Sequence, residues 1–202
     1  MSTKLSEFHR TFKSNIERRR KFRIDGYSTL ADAGFDGDYV TPLQIKARSP
    51  TGICLVSHCW FNIQSLEKCA LSPEEYQRLK EYGYRKYITF NRVLDKALGK
   101  VNLCRADTYM TQVFHLLPQK GLPKTKDIWP SFEAITQYEI RERKVIALGR
   151  PAEHACERAI REFGTDFFES FESTDSPAYR YQKGKDEDER ATDIAAAIRK
   201  IL

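Results

Sequence analysis

Gly52-Ile-Cys-Leu-Val-Ser57 is a short apolar run followed at once by His58, Cys59 and Trp60. A run this short and continuous suits a strand buried on both faces, as in a parallel sheet. Lys144-Val-Ile-Ala-Leu-Gly149 has the same character, and Pro151 behind it opens a helical pattern that reaches 163. Thr108-Tyr-Met-Thr-Gln-Val-Phe-His115 is rich in strand formers. A fourth short strand is expected near 167–171.

Helical patterns separate these strands. Leu5, Phe8, Phe12 and Ile16 make one stripe over 3–24. Ser72-Pro73-Glu74-Glu75 starts a helix running to about Glu81, with Ser72 as cap. A helix over 87–98 ends at Gly99 and carries Leu94 and Leu98 on one face. Ser131 is read as the cap of a helix over 131–142, after a polar loop from Gln119 to Pro130 that holds Lys120, Lys124 and Lys126. The last helix spans 186–202, with Ile194, Ile198 and Ile201 on one face. Glycines and prolines make 25–50 a loop with short extended pieces. Strands alternating with helices predict a three-layer α/β/α domain with a central, mainly parallel four-stranded sheet. One such domain spans 1–202, with 1–24 as a basic N-terminal helix.

The chain has 202 residues, 31% of them charged, and a net charge of +6. No apolar run approaches the roughly 18 residues of a membrane span, and the polar, basic N-terminus lacks a signal-peptide core. An intracellular protein with no membrane partner is expected, and a monomer. Cys54, Cys59, Cys69, Cys104 and Cys156 are odd in number and hold no CxxC pair. That argues for reduced thiols and against a disulfide framework or a zinc or iron–sulfur site; no metal and no cofactor is expected. Residues 1–30 hold eight basic residues against three acidic ones. Arg18, Arg19 and Arg20 form a run that attracts polyanions if it faces solvent; a solvated helix face explains it equally.

Ligands of a parallel sheet bind at the carboxyl ends of its strands. That directs attention to 58–65, 112–118, 149–151 and 172–180, which are expected to converge on one pocket.

Four segments in order resemble the uracil-DNA glycosylase superfamily, over roughly 36–200. Gly52 to Trp60 resembles the first core strand and the motif after it, and Asp38-Tyr-Val-Thr-Pro42 resembles a lead-in to that motif. Thr89-Phe-Asn-Arg-Val-Leu-Asp-Lys-Ala-Leu-Gly99 followed by Asp107-Thr-Tyr-Met-Thr-Gln112 is similar to the helix and second strand. Arg143-Lys-Val-Ile-Ala-Leu-Gly149, with Ala152 behind it, is similar to the third strand. Thr174-Asp-Ser-Pro-Ala-Tyr-Arg180 resembles the His-Pro-Ser loop that enters the DNA minor groove. The resemblance implies a glycosylase fold, DNA as partner, base flipping and hydrolysis of an N-glycosidic bond.

Key positions depart from the family pattern. Cys59 stands where the water-activating Asp or Asn is expected, and His58 where Gln or Glu is. Gln112 replaces the Asn that reads the base. Thr174 replaces the loop His, while Ser176 keeps the Ser. Cleavage needs an anion near the sugar and a donor near the leaving base. His58 can serve as base or donor or be a structural histidine. Cys59 could supply charge as a thiolate or simply pack. Asp36 and Asp38 could bring a carboxylate round from the loop or be turn residues. Trp60 and Phe61 could stack on a flipped base or belong to the core; Asn62, Gln112 and His115 could hydrogen-bond it, or Asn62 could lie in a solvated loop and His115 be an ordinary core or surface histidine. Arg150 at a helix start, with Thr174, Ser176, Tyr179 and Arg180, could contact the DNA backbone.

Two functions follow from the resemblance. The first is a divergent DNA glycosylase, in repair or in anti-phage defence, that excises a modified base; members of the superfamily attack modified phage DNA, including DNA with glucosylated hydroxymethylcytosine. The second is a catalytically inactive glycosylase-fold module that binds DNA or protein. A nucleotide-processing enzyme is disfavoured, because no P-loop or GxGxxG occurs.

Overall fold

The computed structural model describes residues 13–34, 52–60, 62–68, 72, 74, 88–178 and 184–202. Helix α1 covers 13–21. Strand β1 is Tyr27–Ser28, β2 Ile53–Cys59, helix α2 Ile63–Lys68, helix α3 Thr89–Gly99, β3 Tyr109–Phe114 and β4 Leu117–Pro118. Helix α4 runs through Thr125–Ser131, a π-helical turn at Phe132–Thr136 and Gln137–Ile140. Strand β5 is Lys144–Leu148, helix α5 Arg150–Phe163, β6 Ser170–Thr174 and helix α6 Glu187–Ile201. Among the described residues no helix is long and apolar enough to cross a membrane.

The main sheet has the order β3-β2-β5-β6, and every neighbouring pair in it is parallel. Helices cover both of its faces, as expected. β2 lies between two strands, and Ile53, Cys54, Leu55 and Val56 are fully buried; this is why its sequence is continuously apolar. Alternate residues separate the two cores. Ile53, Leu55, Met110, Ile146 and Leu148 pack under α3 and α6. Cys54, Val56, Val113, Val145 and Ala147 pack under α4 and α5. The chain passes from β2 outward to β3, then crosses β2 to β5 and on to β6. The strand order therefore reverses between β2 and β5, and the open crevice lies at their carboxyl ends.

Several boundaries differ from the sequence expectation for physical reasons. β2 continues through His58 and Cys59, so both are strand residues rather than loop residues. Helix α4 starts at Thr125, not at Ser131. Pro130 sits inside it and lacks the N–H that would bond the carbonyl of Lys126; the π-helical turn follows directly, the looser winding that absorbs such a break. Ser131 caps no helix; its Oγ accepts from the N–H of His115 at 3.0 Å. The last strand is Ser170–Thr174 rather than 167–171. Phe167 and Phe168 are buried under α4 and α5 from a turn, so their apolar character reflects packing and not strand geometry. Helix α6 begins after Asp186, whose side chain accepts from the N–H groups of Asp188 and Glu189 at 2.7 and 2.8 Å. The helix starting at Ser72 falls mostly outside the described residues, as does 3–12 of the N-terminal helix.

Candidate functional site at the strand ends

The four strand ends do come together. Ser57 is the register partner of Gln112 and Cys59 of Phe114 across β2 and β3. Leu148 is the partner of Thr174 across β5 and β6. Gly149 donates its N–H to the carbonyl of Thr174 at 2.7 Å. A Cβ on Gly149 would lie 3.0 Å from Cβ of Ser176, and its φ is +96°. Glycine is required there twice over, by conformation and by close approach.

The sheet nevertheless divides the expected pocket in two. Ser57, Cys59, Gln112, Phe114 and Thr174 belong to the face covered by α3 and α6. His58 and His115 belong to the face covered by α4 and α5. The expected partnership of His58 with Gln112 in one pocket is corrected by this alternation, since adjacent strand residues point to opposite sides.

On the α3/α6 face, Gln112 is 1% exposed. Its Nε2 is buried with no hydrogen-bond partner among the described residues. Cys59 is half-buried on the same face, opposite Phe114. Trp60 is buried in the core with Leu30 and the residues of α3 and α6, so it packs the fold and is not an open stacking platform. Asn62 uses both ends of its side chain locally: Nδ2 donates to the carbonyl of Gly121 at 2.9 Å, and Oδ1 accepts from the N–H of Ser65 at 2.8 Å. It caps α2 and ties it to the loop after β4. Ser176 Oγ accepts from the N–H of Ala178 at 3.2 Å, which shapes the 174–178 loop.

Arg190 holds that loop from behind. It is 1% exposed and donates to the carbonyls of Pro177 at 2.9 Å and Asp186 at 3.1 Å. Nothing in its sequence position marked it, because a charged residue in a helix reads as a solvent-facing one.

On the α4/α5 face, His115 is 3% exposed. Thr136 Oγ1 donates to the carbonyl of Gln112 at 2.7 Å, so the hydroxyl oxygen receives the Nε2–H of a neutral His115 at 2.9 Å. Nδ1 is then a buried acceptor with no partner among the described residues. Burial, and next the charge of Arg19, push the imidazole well below its ordinary range. His115 is a neutral core residue, not an open contact for a base.

Arg19 is likewise internal, at 7% exposure, which corrects its place in a DNA-contacting run. Its Nε and Nη2 donate to Oε1 and Oε2 of the buried Glu139, at 3.0 and 2.7 Å, and Nη2 also reaches Thr111 Oγ1 at 2.9 Å. Thr111 Oγ1 donates to Glu139 Oε2. Arg18 lies over the ring of Tyr138 at 4.1 Å, and Arg20 is exposed. Burial raises the thiols of Cys54, to about 12, and Cys156, so both stay protonated.

A cavity of about 460 Å³ opens on the same face between α4 and α5. His58 and Arg150, from either side of the crevice, both line it. So do Trp129, His154 and Arg158, which the sequence reading did not single out. The signal was present: Arg150, His154 and Arg158 are spaced by four residues along one helix, hence on one face. The expected free N–H groups at the start of α5 are largely used. Gly149 bonds Thr174, Ala152 and Glu153 bond the carbonyl of Gly149 at 3.0 and 3.1 Å, and Pro151 has no N–H.

Asp36, Asp38, Phe61, Tyr179 and Arg180 lie outside the described residues. No protein-family model matches the chain, and no curated protein matches it.

Proposed function

We propose that the chain acts on DNA as a divergent glycosylase of the uracil-DNA glycosylase type, accepting a base rotated out of the stack at the carboxyl ends of β2 and β3. The observation that carries this proposal is Gln112. A buried amide donor left without a partner costs about 1–3 kcal/mol, and it stands in the second half of β3, where the resemblance expects the base-reading residue. The parallel sheet, the crevice at its reversal point and the 174–178 loop anchored at Gly149 support the same assignment. Excision would also require a carboxylate, for which Asp36 and Asp38 are the candidates.

The test is incubation of the protein with duplex and single-stranded DNA carrying uracil or enlarged pyrimidines, followed by detection of abasic sites as alkali-labile breaks. Breaks confined to one base type are expected. An absence of breaks with every base, alongside retained DNA binding, would instead select a binding module. One observation favours that second function: the cavity beside the crevice is lined by histidines and arginines, groups that suit a polyanion.

A further inference from the structure

The α4/α5 cavity is separate from the Gln112 position, because β2 stands between them: His58 faces the cavity and Cys59 the other side. At about 460 Å³ it falls within the roughly 300–1,000 Å³ of small-molecule sites. Its body is apolar, formed by Leu122, Ile128 and Trp129, and its polar groups are cationic or imidazole. Arg150 is exposed and has no ion-pair partner among the described residues. Arg158 is fixed at the wall, lying over the Trp129 ring at 4.0 Å and paired with Glu162 at 2.6 Å. Trp129 is itself stacked on Phe132 at 5.1 Å. Lys120, Lys124 and Lys126 are exposed on the segment that supplies Leu122. Arg150 and these lysines bring positive charge to the opening, and the lining residues include no carboxylate.

We propose that this cavity binds a nucleoside phosphate, with the phosphate at Arg150 and His154 and the flat base against the apolar wall of Leu122 and Ile128. A flat apolar body with an anionic end is the chemistry that matches an apolar wall beside the Arg150 guanidinium and the His154 imidazole. The nucleotide is either free or one unit of a DNA strand. The inference does not rest on glycosylase activity.

The experiment follows tryptophan fluorescence of the full chain during titration with deoxyadenosine 5′-monophosphate, deoxyadenosine, inorganic phosphate and a single-stranded oligodeoxyadenylate. Trp129 is one of only two tryptophans, and the other, Trp60, is buried in the opposite core. A saturable change with the monophosphate, about ten-fold or more weaker for the nucleoside, is expected. Inorganic phosphate should compete without the full spectral change. Saturation by the monophosphate assigns a free nucleotide, and saturation by the oligonucleotide alone assigns a nucleotide within a strand. The double variant Arg150→Gln, His154→Gln alters only exposed side chains, so it should melt like the parent and lose the preference for the phosphorylated ligand. No saturable change with either the monophosphate or the oligonucleotide would overturn the proposal, as would unchanged affinities in that variant.

Discussion

The two sides of the sheet are built from interleaved residues of the same strands, yet they solve different problems at their carboxyl ends. Under α3 and α6 the buried polar side chains Asn91, Arg105 and Arg190 have hydrogen-bond partners, while Gln112 is left with a spare donor. Under α4 and α5 the buried polar groups are largely satisfied by one another, His115 Nδ1 excepted: Arg19 with Glu139 and Thr111, His115 with Thr136, Thr136 with Gln112. An isolated spare donor is costly unless a ligand takes it up, whereas a closed network serves the fold. The contrast separates a position suited to recognition from positions suited to structure.

The largest effect expected from this contrast is at Arg19. Arg19→Ala leaves the Glu139 carboxylate buried without its partner, and breaking such a pair costs about 3–5 kcal/mol. Denaturant unfolding should show a much lower midpoint with an unchanged slope. A midpoint near that of the parent would mean that the network carries little and the two faces differ less than their geometry suggests.

Gln112→Leu sharpens the comparison from the other side. Removing a donor that has no protein partner should leave stability near the parent value. If Gln112 meets the leaving base, single-turnover excision should fall by about 10²-fold or more, the scale for one donor to a developing anion. Equal excision by the variant and the parent would remove Gln112 from the site.

A smaller effect is expected at the junction that both faces share. Gly149→Ala forces a side chain into a φ of +96° against Ser176, a strain of about 1–3 kcal/mol. The 174–178 loop should be displaced, seen as faster amide exchange there than in the helices.

The mildest expectation concerns pH. His115 is held neutral in the fold below its ordinary value of 6.5. Between that value and its lowered folded pKa, the unfolded chain binds a proton that the folded chain does not. Its contribution is thus complete above the unfolded value and declines as pH falls. Comparing unfolding at about pH 7 and about pH 5, the parent should lose more stability than His115→Gln does. An identical loss in both would show that the imidazole can be charged in place.

Much of the architecture was legible because the apolar runs at 52–57 and 144–149 admit few alternatives. A strand buried on both faces has to be short and continuously apolar, and the helix stripes at Leu94 and Leu98 or Ile194 and Ile198 leave no doubt which side is inward. Less of the site was legible. Arg19 read as a surface cation because its partner Glu139 is 120 residues away, and Arg190 was not singled out because its partner, the Pro177 carbonyl, comes from the loop before its helix. Stacking and packing stayed open for Trp60 because its burial depends on α3 and α6 arriving from elsewhere.

The sequence by itself determined the kind of layer each segment joins, since local periodicity follows from whether one face or both are covered. It also determined which residue types stand at the strand ends. Only the tertiary structure decided on which face each of them acts. Extending β2 through Cys59 turns His58 to one side and Cys59 to the other, and the crossover from β3 to β5 places Arg150 across the crevice from His58. Those outcomes depend on strand register and strand order, which arise from contacts between segments far apart in the chain and leave no trace in local pattern.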